Sequence, residues 1–200
     1  MTQTVHHDLA ALRQAATERN PEQVQFLLKR LFLGMNFYRA LAVAVERAFA
    51  FVETFERYYP EAVWARQVIL QIANLGTVQP LPPQAMRDFT APGAANFMKA
   101  LADLANSVQQ SNQYEARIGY LVSATVNAIT AALVATYYQD RIEDWERLRT
   151  ADIDPLTGHY ADPQVTQIAY AFWTDEAVEK LDIDTWLAVA DAIERHLQRE

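Results

Sequence analysis

PEQVQFLLKRLFLGMNFYRALAVAVERAFAFVETFERYY, residues 21–59, runs from one proline to the residue before the next. Its apolar positions alternate four and three apart: Val24, Leu28, Leu31, Met35, Tyr38, Ala42, Val45, Phe49 and Val52. This is the spacing of a helix with a continuous buried seam. A second line, Leu27, Gly34, Leu41, Ala48 and Phe55, flanks the first and widens the stripe to the three-in-seven face of a helix inside a bundle. Asn20-Pro21 supplies the start, because asparagine is a favoured N-cap and proline is pre-set for the first helical position. Pro60 supplies the stop.

At about 1.5 Å per residue such a rod approaches 60 Å, whereas a compact chain of 200 residues is about 40–45 Å across. Either the helix kinks at Gly34, or it projects beyond its own core and offers apolar surface to a partner. A second long helix is predicted over 113–149. Its charged end, 140–147, keeps an apolar face through Ile142, Trp145 and Leu148, and its middle, 118–139, carries no charge at all. That middle is long enough to span a bilayer. Ser123, Thr125, Asn127, Thr130 and Thr136 lower its hydropathy, however, and Gly119, Ala124, Ala128, Ala131 and Ala132 invite close neighbours, so it reads as a buried core helix with no membrane partner.

Shorter helices are predicted over 5–19, 61–74, 164–173, 175–181 and 185–197, with another launched by Thr90-Ala91-Pro92-Gly93 and reaching 108. Residues 76–83, 109–113 and 151–163 read as connectors. The fold expected is therefore one all-α domain over 1–200, a bundle of about seven to nine helices around two long antiparallel ones, 21–59 and 113–149. Val52-Glu-Thr-Phe-Glu-Arg57 and Ile142-Glu-Asp-Trp-Glu-Arg147 match at an offset of 90 residues. The match suggests halves 1–76 and 90–150 related by a pseudo-twofold axis, with C-terminal helices 164–200 added.

Composition narrows the function classes. The absence of cysteine removes disulfides, thiolate ligands and a cysteine nucleophile. A net charge of −8, with no basic run longer than Lys29-Arg30, opposes a phosphate backbone, so no nucleic-acid partner is expected. The opening Met-Thr-Gln-Thr-Val-His-His-Asp lacks the basic and apolar regions of an export signal, which makes the expected location cytoplasmic.

Two constellations carry chemistry. Glu53/Glu56 and Glu143/Glu146 are each three apart on one helical face, and with Asp140 they form a carboxylate set suited to a hard divalent ion such as Mg or Mn. The competing reading pairs Glu53 with Arg57 and Glu143 with Arg147 on solvated faces, and leaves the chain without a cofactor. Asp152 to Asp162 opens like a calcium loop, but its glycine falls one place late and Pro163 stands where a bidentate Glu is required.

The second constellation is aromatic. Phe32, Phe37 and Phe51 point away from the main seam, and Asn36, Tyr38 and Asn127 are polar anchors for a ligand held among them. Three functions follow. The first is a non-enzymatic interaction or regulatory module acting as a homodimer or on another protein. The second is a helical protein that binds an apolar small molecule, and the third is a divalent-metal hydrolase.

Overall fold

The computed structural model describes residues 3–77, 81–109, 113–155 and 157–198, so the predicted breaks at 76–83 and 109–113 lie partly outside the described residues. Helix α1, Gln3–Thr17, buries Leu9, Leu12, Ala15 and Ala16. It ends in a left-handed turn at Arg19, with φ of 52°. There the Asn20 N–H donates to the Ala15 carbonyl at 3.0 Å and the Arg19 N–H to that of Ala16 at 3.1 Å, the pairing of a Schellman cap. Asn20 then turns its side chain to the next helix, accepting from the Gln23 N–H at 3.1 Å. Helix α2, Pro21–Leu33, follows with Pro21 in its first turn.

The stretch read as one rod is two helices. Helix α2 stops at Gly34, and α3, Phe37–Tyr58, starts after Asn36, whose backbone is extended and whose side chain accepts from the Tyr38 N–H at 2.9 Å. A mid-helix asparagine competes for backbone donors and here wins. The break frees the Met35 carbonyl, which accepts from the Tyr114 hydroxyl at 2.7 Å. Apolar periodicity survives the break because the two helices press on one core: Leu28, Leu31 and Phe32 before it, Leu41, Ala48, Val52 and Phe55 after it. The break removes the overlong rod, while Phe26, Leu33, Tyr38 and Phe49 of the same stretch stay exposed.

Helix α4, Trp64–Leu75, is capped by left-handed Gly76, and a short 3-10 turn at Pro83–Met86 leads towards α5, Ala94–Gln109. The second predicted rod is also divided, into α6, Tyr114–Tyr138, and α7, Ile142–Thr150. Arg141 makes that break, donating from Nη1 to the Tyr137 carbonyl at 2.8 Å while its guanidinium lies 4.2 Å from the Tyr137 ring centre. The two halves of the proposed repeat are therefore not equivalent: 52–57 lies within α3, whereas 142–147 lies in a helix of its own. Conversely, α9, Glu176–Gln198, joins the two helices expected at 175–181 and 185–197, because 182–184 contains no breaker and Thr185 bonds back to the Leu181 carbonyl at 2.6 Å. Between α7 and α9 stands α8, Pro163–Thr174, capped by Asp162.

Among the described residues the chain is thus an all-α bundle of nine helices, and its extended structure is limited to one isolated bridge between Ile153 and Tyr160. Helix α6 is its spine, touching α2, α3, α5, α7 and α9. It is long and apolar enough to cross a bilayer, yet most of its apolar window is buried inside the bundle. The tightest approach is that of the chain entering α5. Gly93 has φ of 77°, and a Cβ there would stand 2.2 Å from the Ala131 carbonyl oxygen of α6. Alanine at 93 is therefore predicted to cost about 3 kcal/mol or more, from a left-handed conformation and a backbone clash together. Alanine at 34, where φ is −80° and a Cβ meets nothing closer than 3.4 Å, is predicted to change stability by no more than about 1 kcal/mol. Urea unfolding of the two variants checks the contrast.

Candidate functional site

At the spine's middle, α6 presents Val126, Ile129 and Leu133, spaced three and four apart, on one side; Val126 is half-buried there, and Ile129 and Leu133 are buried at the base. Thr130 shares this side, but its hydroxyl is turned back to the Val126 carbonyl at 3.0 Å, so the floor is apolar. Around the floor stand the α1–α2 elbow (Ala16, Arg19, Asn20, Pro21), the first turns of α2 (Val24, Gln25), the end of α8 (Trp173) and the first half of α9 (Asp182, Trp186). Together they enclose a cleft of about 400 Å³, half open to solvent. That volume lies in the range of small-molecule sites, about 300–1,000 Å³.

The wall is built by one strained residue. Arg19 adopts the left-handed conformation normally left to glycine, which costs on the order of 1 kcal/mol or more. Its guanidinium compensates by tying three elements together, with Nη2 donating to the Trp173 carbonyl at 3.0 Å and Nη1 to Glu179 at 3.2 Å. Arg13, one helix face away, pins α1 to α9 through Asp191 at 2.7 Å and Glu194 at 2.6 Å. Trp173 is thereby held at the cleft mouth with half its surface exposed, while Trp186 is buried at 8%.

Asp182 is the polar group of the wall. Burial pushes its carboxyl above the ordinary value of 3.8, and the Arg19 charge and a hydrogen bond from the Trp186 indole only partly oppose the shift. Arg19 does not form an ion pair with it, its nitrogens being placed on Glu179 and the Trp173 carbonyl.

A second groove, about 480 Å³, continues along α6 past Gln25 and Val126 to Phe26, Lys29, Lys99, Gly119, Val122, Ser123 and Asn127. Its base is a closed polar chain. The Ser123 hydroxyl donates to buried Asp103 at 2.6 Å, and Asn127 Nδ2 donates to the Ser123 carbonyl at 2.8 Å.

The structure does not gather the pocket residues read from the sequence. Phe32 is fully buried in the core, and Phe51 packs on Phe97 with ring centres 5.2 Å apart. Phe37 lies beneath the Arg117 guanidinium at 3.5 Å, and Asn36 is a helix cap. Tyr38 is exposed, its ring against Gly76, and Asn127 belongs to the second groove. The outward-facing aromatics meet neighbouring helices, which completes their packing and leaves no shared cavity.

The carboxylates likewise stay apart. Glu56 is drawn to Arg66 of α4 by Nε at 2.9 Å and Nη2 at 2.6 Å, and this pairing lowers its pKa. Glu146 bonds Arg149 at 2.6 Å, while Glu53, Asp140 and Glu143 are exposed. Among the described residues no three His, Asp or Glu side chains converge on a point that could hold a metal ion. In the Asp152–Asp162 segment the Ala161 N–H donates to the Asp152 carbonyl at 3.0 Å, and the Asp162 side chain caps α8, accepting from the Gln164 N–H at 2.8 Å.

Arg19, Trp173, Asp182 and Trp186 escaped the sequence reading. The signal for three of them was present: two tryptophans flank Asp182, a carboxylate that falls among apolar residues of one helix, Leu181, Ile183 and Trp186. Arg19 left none, because arginine does not announce a left-handed turn.

No known protein family, curated protein or solved structure matches the chain.

The raised pKa of Asp182 has a direct consequence for stability. Between the unfolded value and the higher folded one, the native state binds more protons than the unfolded state, so this residue's contribution to stability is full at low pH and is lost as pH rises through the folded value. Asp182→Asn is predicted to raise the melting temperature at neutral pH, with the gain shrinking towards pH 4. Calorimetric scans of both proteins across that range test it, and a gain that grows on acidification would contradict it.

Proposed function

We propose that the protein binds a small molecule with an apolar body, held in the cleft between the α1–α2 elbow, α6 and the α8–α9 corner. One observation carries this reading. A cleft of about 400 Å³ has a floor of Val126, Ile129 and Leu133 and a wall of two tryptophans, and its mouth is kept by an arginine in a costly conformation. Filling such a surface with side chains would be the cheaper arrangement for stability alone, since a compact core leaves few voids. Strain held in place at a cleft is the pattern of a built binding surface.

The homodimer reading keeps the exposed Phe26, Leu33, Tyr38 and Phe49 but loses the overlong rod, which is divided at Gly34–Asn36. The metal-hydrolase reading loses its ligands with the dispersal of Glu53, Glu56, Asp140, Glu143 and Glu146. The proposal retains the apolar small molecule expected from the aromatic content, in a different place and with different residues.

The test uses a neutral fluorescent naphthylamine probe, N-phenyl-1-naphthylamine, and the variant Val126→Phe. Val126 is partly exposed on the floor, so a larger ring there enters the cleft rather than the core. The wild type is expected to bind the probe with energy transfer from tryptophan. The variant should bind about tenfold more weakly or worse, a loss of at least about 1.4 kcal/mol. Equal binding by both proteins, with the variant folded by circular dichroism, would refute the cleft as the site.

A further inference from the structure

The ionisable groups on the cleft wall are not balanced, and the imbalance selects a class of ligand. Arg19 is the cation of the wall, and its guanidinium is already engaged by Glu179 and the Trp173 carbonyl. Asp182 is the anion of the wall and, among the described residues, forms no ion pair; Arg19 and the Trp186 indole lie near enough to oppose, only in part, the upward push of burial on its carboxyl. A half-buried carboxylate beside an apolar floor is costly to leave without a counter-charge.

Its neighbours suit one kind of counter-charge. Trp186 and Trp173 both line the cleft, and indole is the aromatic ring that attracts cations most strongly. A metal ion would demand several oxygen ligands, and among the described residues no such set exists. An anionic ligand would meet the Asp182 charge and would compete with Glu179 for the Arg19 guanidinium. The net charge of −8 also favours the approach of a cation over that of an anion.

We propose that the cleft takes an amphipathic organic cation, an alkylammonium or quaternary ammonium compound. Its charged nitrogen sits against the Asp182 carboxylate and the indoles of Trp173 and Trp186, and its apolar part lies on Val126, Ile129 and Leu133. This assignment rests on the cleft reading and adds the charge of the ligand to it. Asp182 is the specificity residue, Trp186 lines the cleft beside it, and Arg19 holds the wall without contacting the head group.

Isothermal titration calorimetry at neutral pH tests the assignment with octylammonium, octyltrimethylammonium, octan-1-ol and octanoate, which share one tail. Both ammonium ions are expected to bind at least about tenfold more tightly than the alcohol or the carboxylate. Asp182→Asn, which keeps the shape of the side chain, should remove that preference and bring the ammonium ions down to the level of octan-1-ol. Val126→Phe should weaken every probe that binds.

The two readings fail differently. If octanol and the ammonium ions bind the wild type equally, or if Asp182→Asn keeps the ammonium preference, the cation assignment is overturned while the cleft stands. If none of the probes binds, or if binding ignores Val126→Phe, the cleft itself is overturned and the assignment falls with it.

Discussion

The helix with no charge over residues 118–139 is mostly enclosed by protein, and the rest of this bundle is arranged around it. Small residues let that happen at short range. Gly93 brings the start of α5 onto the Ala131 carbonyl, and Ala124, Ala128 and Ala135 are buried along the same helix. Helix α3 closes another side, and its Phe51 and Phe55 pack at tilted angles against Phe97 of α5. Helix α9 closes a third with Val189, Ala190 and Ile193. The side left incompletely covered is the floor of the cleft, so the candidate site is what remains when five neighbours surround one apolar spine.

The charged residues act mainly as rivets between these layers. Asp8 of α1 meets Arg30 of α2 at 2.9 Å, Arg13 joins α1 to α9, and Arg66 joins α4 to the Glu56 end of α3. Near the far end, Tyr138 is held among Tyr137, Trp145 and Phe172, and burial pushes its hydroxyl up to about 12. Of the carboxylates that resembled a ligand set when read along the chain, Glu56 joins two helices and Glu146 pairs within its own helix. This is the commoner fate of acidic residues on amphipathic surfaces.

Helix class was legible because periodicity, proline and asparagine signals act locally. Asn20-Pro21 starts α2 as its chemistry dictates, Pro163 follows the Asp162 cap of α8, and the α5 launch at 90–93 is in place. Helix length was less legible. The apolar stripe of 21–59 continues across Gly34–Asn36 because the stripe reports which residues face the core, and two helices packed on the same core share that property. Asn36 was a cap signal hidden inside the pattern, and it was read as a ligand anchor instead. At 139–141 the break is made by an arginine capturing a carbonyl, for which no residue pattern exists.

The site was less legible than the fold because it is assembled from three distant segments, 16–25, 126–133 and 173–186, whose proximity depends on tertiary packing. Aromatic density drew attention to 26–64, where the rings pack on one another, whereas the cleft uses the sparser tryptophans at 173 and 186. The account stands or falls on α6 as an enclosed spine, and native-state hydrogen exchange measures that enclosure residue by residue. Amides of α6 over 121–135 are predicted to exchange only through global unfolding, while those of α7, which has no buried side chain, exchange through local opening. Exchange of the α6 amides at rates matching α7 would contradict the enclosed spine and the cleft built upon it.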